Sequence, residues 1–300
     1  PGMLDCLFIG STTKDTLLMV DAPPASDQRI AAAAVAHTCG GVASVAASAF
    51  QKLGGRTGLI TAVGGPSDVT DFIRADIADR GLPYSQVIEI PGADSPFSAI
   101  QVERDGKRCI THFGGCIRCL TLDMLDKAAL QNAAMVHLGG LEDRFCGELA
   151  RYCREHTGAL LSVDGGNLSR EATEALLPYT DVFIPDDKTV AKTLGLSPED
   201  ACRYYAGKGV KTACVTLGDA GAVAFQEGRF YRAPPVKVSA VDTTGAGDNF
   251  HGAFLYCLTQ GWDLEKTLRF CNAFAGLTCL GLGGIAAEPS REETLKKMEE

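Results

Sequence analysis

A doubly wound α/β fold, with a mostly parallel central sheet flanked by helices and a small β-sheet lid, is what this sequence predicts, and three observations predict it. Short β-rich runs alternate with amphipathic helical segments along most of the chain. Two early stretches break that alternation and carry hairpin signals instead. The 300 residues are 46% hydrophobic and 22% charged, enough to bury a sizeable core without disulfide or metal staples. Residues 1–300 are read as one α/β domain.

Leu4–Ile9 is the first buried-strand run. Leu59–Val63, Met135–Leu138, Leu160–Val163, Val182–Ile184 and Cys214–Leu217 follow, each a mainly apolar stretch of the kind that parallel strands covered on both faces require. Between them apolar positions recur at helical spacing over Ala43–Leu53, Val69–Arg80, Asp143–His156, Pro198–Lys208, Ala246–Thr259 and Leu264–Cys279. Gly54-Gly55 and Gly81-Leu82-Pro83 close the first two, because glycine supplies the left-handed turn and proline does not continue a helix. Thr12–Gly41, with its Pro23-Pro24 turn, and Pro96–Phe113 are the exceptions. In the second, Ser98–Glu103 and Arg108–Phe113 flank Asp105-Gly106 as a hairpin. Segments 12–41 and 96–113 are expected to pair into one small sheet, a lid hinged over one edge of the main sheet.

Lys plus Arg number 28 against 37 Asp plus Glu, a balance of −9. No basic run interrupts that acidic surface, so nucleic acid and anionic membrane are disfavoured as partners. An anionic small molecule would need a local basic or amide-rich pocket. The longest weakly polar stretch, Ala273–Ala287, is shorter than the roughly 20 residues a membrane-spanning helix needs. No secretory signal opens the chain, Pro1-Gly2 ahead of Met3 reads as a cloning remnant, and the 12 cysteines lie scattered through strand-like and helix-like runs. Buried reduced thiols and a cytoplasmic location are the expectation.

The run Val241-Asp242-Thr243-Thr244-Gly245-Ala246-Gly247-Asp248-Asn249-Phe250-His251-Gly252 carries the chemistry. Phe250, Ala253, Phe254, Cys257 and Leu258 recur at helical spacing, so a helix starts inside the glycine motif. Its first N–H groups lack intrahelical partners and the helix dipole adds partial positive charge. Gly245, Ala246, Gly247 and Asp248 therefore present an anion site that glycine lets a phosphate approach closely. A carboxylate there would repel a bound phosphate unless something lay between them, and a substrate hydroxyl fits that gap. Asp248 would take the hydroxyl proton as attack on phosphorus begins, while the amides hold charge on the transferred oxygens. An Asp that merely caps the helix is the plainer alternative. A dinucleotide fingerprint would follow an early strand and a Walker loop would read G-x-x-x-x-G-K-[ST]; neither is present, which argues against a Rossmann oxidoreductase.

Asp242–Asp248 resembles the D-T-x-G-A-G-D signature of the ribokinase-like (PfkB) carbohydrate kinases, and the resemblance extends over nearly the whole chain. Gly10-Ser11 followed by Asp15, and Gly40-Gly41 opening the helix that ends Lys52-Leu53-Gly54, are similar to the family's sugar-binding region. Thr216-Leu217-Gly218-Asp219-Ala220-Gly221 resembles its T-L-G-x-x-G nucleotide loop. The resemblance implies ATP-dependent phosphorylation of a sugar or nucleoside hydroxyl, with Asp248 as base and the Gly245–Asp248 amides as anion hole. It implies that Asp15 holds substrate hydroxyls, that the Gly40-Gly41 backbone lies against the sugar, that Thr216, Gly218 and Gly221 line the nucleotide, and that Asn272 sits beside the adenine. An exposed turn for Asp15 and a plain strand-to-strand turn at 216–221 are the alternatives. Asp242 and Thr244 match positions of a monovalent cation (K+) site, although capping explains them nearly as well. Lid sheets in this family often pair, so a homodimer through the lid is expected.

The match departs in places. Where relatives carry N-x-x-E, with the glutamate organising the Mg2+ water shell, this chain has Asp186 and Thr189; Asp186 or Asp187 is the substitute. The second glycine region reads Gly41-Val42-Ala43-Ser44-Val45 without the usual asparagine, so the substrate is expected to differ from that of ribokinase itself. Asp164-Gly165-Gly166-Asn167 reads as a strand-end turn, with phosphate or magnesium contact as the alternative. His112, at the end of the lid hairpin, is a candidate substrate contact. Cys116-Ile117-Arg118-Cys119 lacks a second ligand pair and is not read as a zinc site. His251 reads as a packing histidine, and His37, His137 and His156 carry no recognisable constellation. Segments 181–195, 248–252 and 268–271 look more like ketohexokinases and sulfo-sugar kinases than adenosine kinases. The expected acceptor is therefore a hydroxyl of a ketohexose or modified ketose. Ribokinase or nucleoside kinase activity, or a non-catalytic sugar sensor, are the alternatives; the presence of Asp248 argues against the sensor.

Overall fold

The computed structural model describes residues 3–299; Pro1 and Gly2, with the remnant assigned to them, lie outside. Among the described residues the strands are, in chain order, β1 (Leu4–Gly10), β2 (Thr13–Val20), β3 (Ala34–Gly40), β4 (Thr57–Val63), β5 (Tyr84–Glu89), β6 (Phe97–Glu103), β7 (Arg108–Phe113), β8 (Ala133–Gly139), β9 (Leu160–Asp164), β10 (Val182–Ile184), β11 (Thr212–Thr216), β12 (Ala222–Gln226) and β13 (Arg229–Ala233). Nine form the large sheet in the order β13-β12-β11-β10-β9-β8-β1-β4-β5. From β11 to β5 every pair is parallel, with helical segments in the longer crossovers. β12 and β13 follow by tight turns and so pair antiparallel. The strand order reverses between β1 and β8, and such a switch point opens a crevice at the strands' carboxyl ends.

Side chains alternate across β1, so both faces of the sheet are covered. Leu7 and Ile9 join Val136, Leu138, Leu161 and the Asp143–His156 helix in one layer. Phe8 packs on the other side with Phe50, Phe254 and Phe274 from the helices Val42–Lys52, Ala246–Thr259 and Leu264–Thr278. The first two of those helices approach so closely that a Cβ on Gly252 would fall 2.2 Å from the Ala46 carbonyl oxygen. The helix carrying the glycine run is thereby anchored against the core.

The lid is a four-stranded sheet, β3-β2-β6-β7, in which β2–β3 and β6–β7 are antiparallel and β2–β6 is parallel. Its stems leave β1 in the interior of the large sheet as well as β5 at its edge. It therefore stands over the carboxyl ends of the strands. Among the described residues no helix is long and apolar enough to cross a membrane.

Candidate active site at the glycine-run helix

The Ala246–Thr259 helix begins at Gly245, its N-cap in the left-handed conformation (φ 73°), and no side chain caps its first turn. The Ala246 amide donates to the Thr243 carbonyl at 3.3 Å, which leaves the next amides of the turn, Gly247 and Asp248, for an anion. Asp248 lies half-buried in this turn. Burial pushes its carboxyl up to about 7, with the Asp164 and Asp15 carboxylates adding to the rise and His251 and Arg108 opposing it.

Asp242 is fully buried, and its oxygens accept from protein donors: Oδ1 from the Thr244 amide (2.9 Å) and hydroxyl (2.7 Å), Oδ2 from the Gly283 amide (2.7 Å). The Asn249 amide nitrogen adds bonds to the carbonyls of Gly245 (2.9 Å) and Gly284 (2.6 Å). Asp242 and Thr244 thus clamp the glycine run to the 279–284 turn.

Asp15 is no exposed turn residue. It sits in β2 at 5% exposure, and its Oδ1 accepts from the Thr13 hydroxyl at 2.7 Å. Burial raises its carboxyl above the ordinary value, against the hydrogen bonds from Thr13 and Ser98. A Cβ on Gly40 would lie 1.9 Å from Asp15 Oδ2, so only glycine fits beside this carboxylate. Gly41 (φ 98°) starts the next helix, whose Val42 amide donates to Ser11 Oγ at 3.1 Å. Across the lid Asp15 is in register with Ser98, and Ser98 with His112. His112 Nδ1 lies 3.1 Å from Ser98 Oγ. Asp15, Ser98 and His112 therefore form a polar row on one lid face.

The lid also touches the glycine run. The Arg108 guanidinium, on the same face as His112, donates to the Thr243 hydroxyl, and Gly106 at the hairpin tip lies against Ala240. Arg108 was not singled out from the sequence; its even spacing from His112 along one strand was the available signal.

The proposed nucleotide side is built at the ends of β9, β10 and β11. Gly218–Ala220 is one 3-10 turn ending at Gly221 (φ 92°), a strand-to-strand turn between antiparallel β11 and β12. An isolated bridge sets Thr216 beside Asp186. Asp186 caps the Asp187–Thr193 helix, accepting from the Thr189 amide at 2.7 Å and its hydroxyl at 3.2 Å. A point at the Cβ position of Gly166 lies 3.0 Å from Asp164 Oδ1 and 3.8 Å from Asp186 Oδ2, so the two carboxylates converge. This fits a hard cation that keeps most of its waters. Asn272 spends its amide hydrogens on the carbonyls of Ala233 (3.0 Å) and Pro234 (2.9 Å), which makes it a holder of the β13 exit.

Behind Asp248 lies a buried polar group that the sequence did not reveal. His251, on the same helix face, places Nδ1 3.4 Å from Asp164 Oδ2 and Nε2 2.9 Å from the Ile184 carbonyl. Its ring centroid is 5.5 Å from that of His137, whose Nδ1 lies 3.0 Å from Ser162 Oγ. Burial and the neighbouring His251 push the His137 imidazole well below its usual range. His137 and His251, read separately from the sequence, belong to one constellation with Asp164.

The model of the pfkB family carbohydrate kinases matches residues 3–291. A deoxyribokinase of Salmonella typhi is 25% identical over 301 residues, 97% of each chain. A ketohexokinase of Mus musculus is 27% identical over 293 residues, 93% of this chain and 97% of that one. Among solved structures, the ribokinase of Thermotoga maritima superposes with a TM-score of 0.83 at 25% identity, covering 99% of this chain and 100% of that one. The chain belongs to the pfkB family of carbohydrate kinases, phosphotransferases with a hydroxyl acceptor.

Proposed function

We propose that this protein is an ATP-dependent kinase of a small sugar, with a ketohexose or modified ketose as acceptor. One observation carries the reading: an acid held near neutrality by its surroundings sits in an uncapped helical turn, with a second buried acid, Asp15, close enough to influence it. In this reading Asp15 accepts hydrogen bonds from sugar hydroxyls beside Gly40 and Gly41. Asp248 takes the proton of the attacking hydroxyl, and the amides of Gly247 and Asp248 hold the charge on the moving phosphoryl oxygens. Arg108 brings a positive charge over the same region from the lid. Thr216, Gly218 and Gly221 line the nucleotide, while Asn272 shapes its wall by fixing the chain after β13. Magnesium bound with ATP neutralises phosphate charge, and Asp186 would hold it through water. A K+ ion beside Asp242 and Thr244 would steady the glycine run.

The similarity to a ketohexokinase supports the ketose acceptor; the similarity to a deoxyribokinase favours a pentose as the second reading. The lid's outer face, opposite Asp15, where Val35 and Phe113 are 59% and 51% exposed, supports a homodimer through the lid. All cysteines except Cys109 and Cys119 are buried free thiols, a state a reducing cytoplasm maintains. Incubation with MgATP and a panel of ketoses, aldoses and nucleosides tests the activity. Sugar-dependent ADP release with a phosphorylated product of matching mass is expected. A correctly folded protein that binds sugar yet forms no ADP is instead a sensor.

A further inference from the structure

We propose that the acceptor sugar carries an anionic group, a phosphate, sulfonate or carboxylate, seated between Arg118 and His112 at the end of the lid row remote from Asp15. The proposal rests on the sugar-kinase reading for its substrate and on the following geometry for its charge.

Asp15, Ser98 and His112 occupy register positions on three adjacent strands. With neighbouring strands about 4.8 Å apart, the row spans roughly 10 Å, room for a five- or six-carbon sugar with a substituent. Its first end is acidic and suits hydroxyl donors. Its other end is basic. His112 uses Nδ1 on Ser98, which leaves Nε2 for a ligand. Gly114 then turns the chain, and the Cβ position it leaves empty lies 3.8 Å from His112 Nε2, 3.5 Å from Arg118 Nε and 3.8 Å from Arg118 Nη2. The Arg118 guanidinium and His112 Nε2 thus lie side by side over Gly114, where no side chain separates them.

Among the described residues neither forms an ion pair. Some exposed arginines of this acidic protein are paired, Arg104 with Asp21, Arg151 with Glu155 and Arg203 with Asp200, while others such as Arg144 and Arg170 are not, so it is the nearness of His112 and not the missing acid that sets Arg118 apart. Burial, and after it repulsion by the charge of Arg118, holds the His112 imidazole below its ordinary value. An anion placed there would relieve that repulsion, and a guanidinium matches the paired oxygens of phosphate, sulfonate or carboxylate. A neutral hydroxyl needs no such arrangement.

Matched pairs test it: fructose with fructose 6-phosphate, ribose with ribose 5-phosphate, glucose with glucuronate, and fructose with its 6-sulfonate, each titrated calorimetrically into the full chain. The charged member of at least one pair is expected to bind about 10-fold or more tighter. Arg118→Ala should reduce that affinity to the neutral level and leave ATP binding unchanged. Equal or tighter binding of every neutral member, no binding of any charged member, or an affinity gap that survives Arg118→Ala overturns the proposal. MgATP added to the titrated mixtures separates the two claims. A charged sugar bound without ADP release sinks the kinase reading and leaves the anion seat standing, whereas ADP from neutral sugars alone sinks only the seat.

Discussion

His251 turns its Nδ1 toward the Asp164 carboxylate at 3.4 Å while its Nε2 lies 2.9 Å from the Ile184 carbonyl. A carbonyl can only accept, so Nε2 carries a hydrogen. Nδ1 then faces the Asp164 carboxylate. Ligand atoms of Asp164, Asp248 and His251 lie within 4.8 Å of one another, and His251 lowers the Asp248 carboxyl against the rise that Asp164 adds. Replacing His251 with Phe removes that offset. The Asp248 carboxyl should move further up from about 7, and the acid limb of kcat/KM should shift to higher pH, with near wild-type activity recovered at alkaline pH. A pH profile distinguishes this from packing damage, which would lower activity at every pH.

Asp248 must be ionised to accept a proton, and its carboxyl sits at about 7, so activity should rise with pH through that value and level off above it. Asp248→Asn should lower turnover by roughly 100-fold or more while ATP binding holds. Steady-state kinetics beside nucleotide titration check both, and near wild-type turnover in the variant would remove Asp248 from the role of base.

Gly40→Ala puts a methyl where Asp15 Oδ2 now lies, 1.9 Å away, and Asp15 is pinned by Thr13. The carboxylate has to leave its place against the sugar. KM for sugar should rise at least about 10-fold with KM for ATP little changed, because a hydrogen-bonded charged acceptor is lost to the sugar alone.

Arg108→Ala takes away the charge that the lid lends to Asp248 and frees Thr243. If that charge serves the moving phosphoryl group, kcat should fall about 10- to 100-fold while KM for sugar changes less. A fall confined to KM would make Arg108 a simple lid latch.

What the sequence disclosed depended on how local each signal was. β1, β4, β8 and β9 stood out because strands buried on both faces are mainly apolar. β5 and β13 did not, since Tyr84–Glu89 and Arg229–Ala233 lie at the two edges of the sheet and are largely half-exposed or exposed, and β12 did not, since its apolar residues are interrupted by two alanines and it ends half-buried. The glycine run was legible because base and amides share one turn of helix. Arg108 and Ser98 were not, because their neighbours are supplied by strand register across the lid, and Arg118 was not because the turn at Gly114 and Gly115 is what brings it back to His112. The Asp164–His251 contact joins the end of β9 to a helix far along the chain. Only the spacing of Asp248 and His251, three residues apart on one helix face, hinted at it.

Glu288 offers a prediction about stability. Its Oε2 accepts from Ser48 at 2.8 Å while Oε1 is buried without a partner, and burial pushes the carboxyl up to about 8, against the Ser48 bond and the charges of Arg80 and Lys52. The folded state therefore binds this proton more tightly than the unfolded chain, where a glutamate titrates near 4.3. The favourable contribution is complete below that unfolded value, diminishes as pH rises between the two, and is gone once the folded value is passed. Melting temperature should consequently fall between pH 5 and 8. Glu288→Gln retains a hydrogen-bonding side chain at this position without the ionisable proton, so it should flatten that slope and raise the melting temperature at pH 8. Thermal unfolding of both proteins across this range checks the sign, and an unchanged slope in the variant would place the titrating group elsewhere.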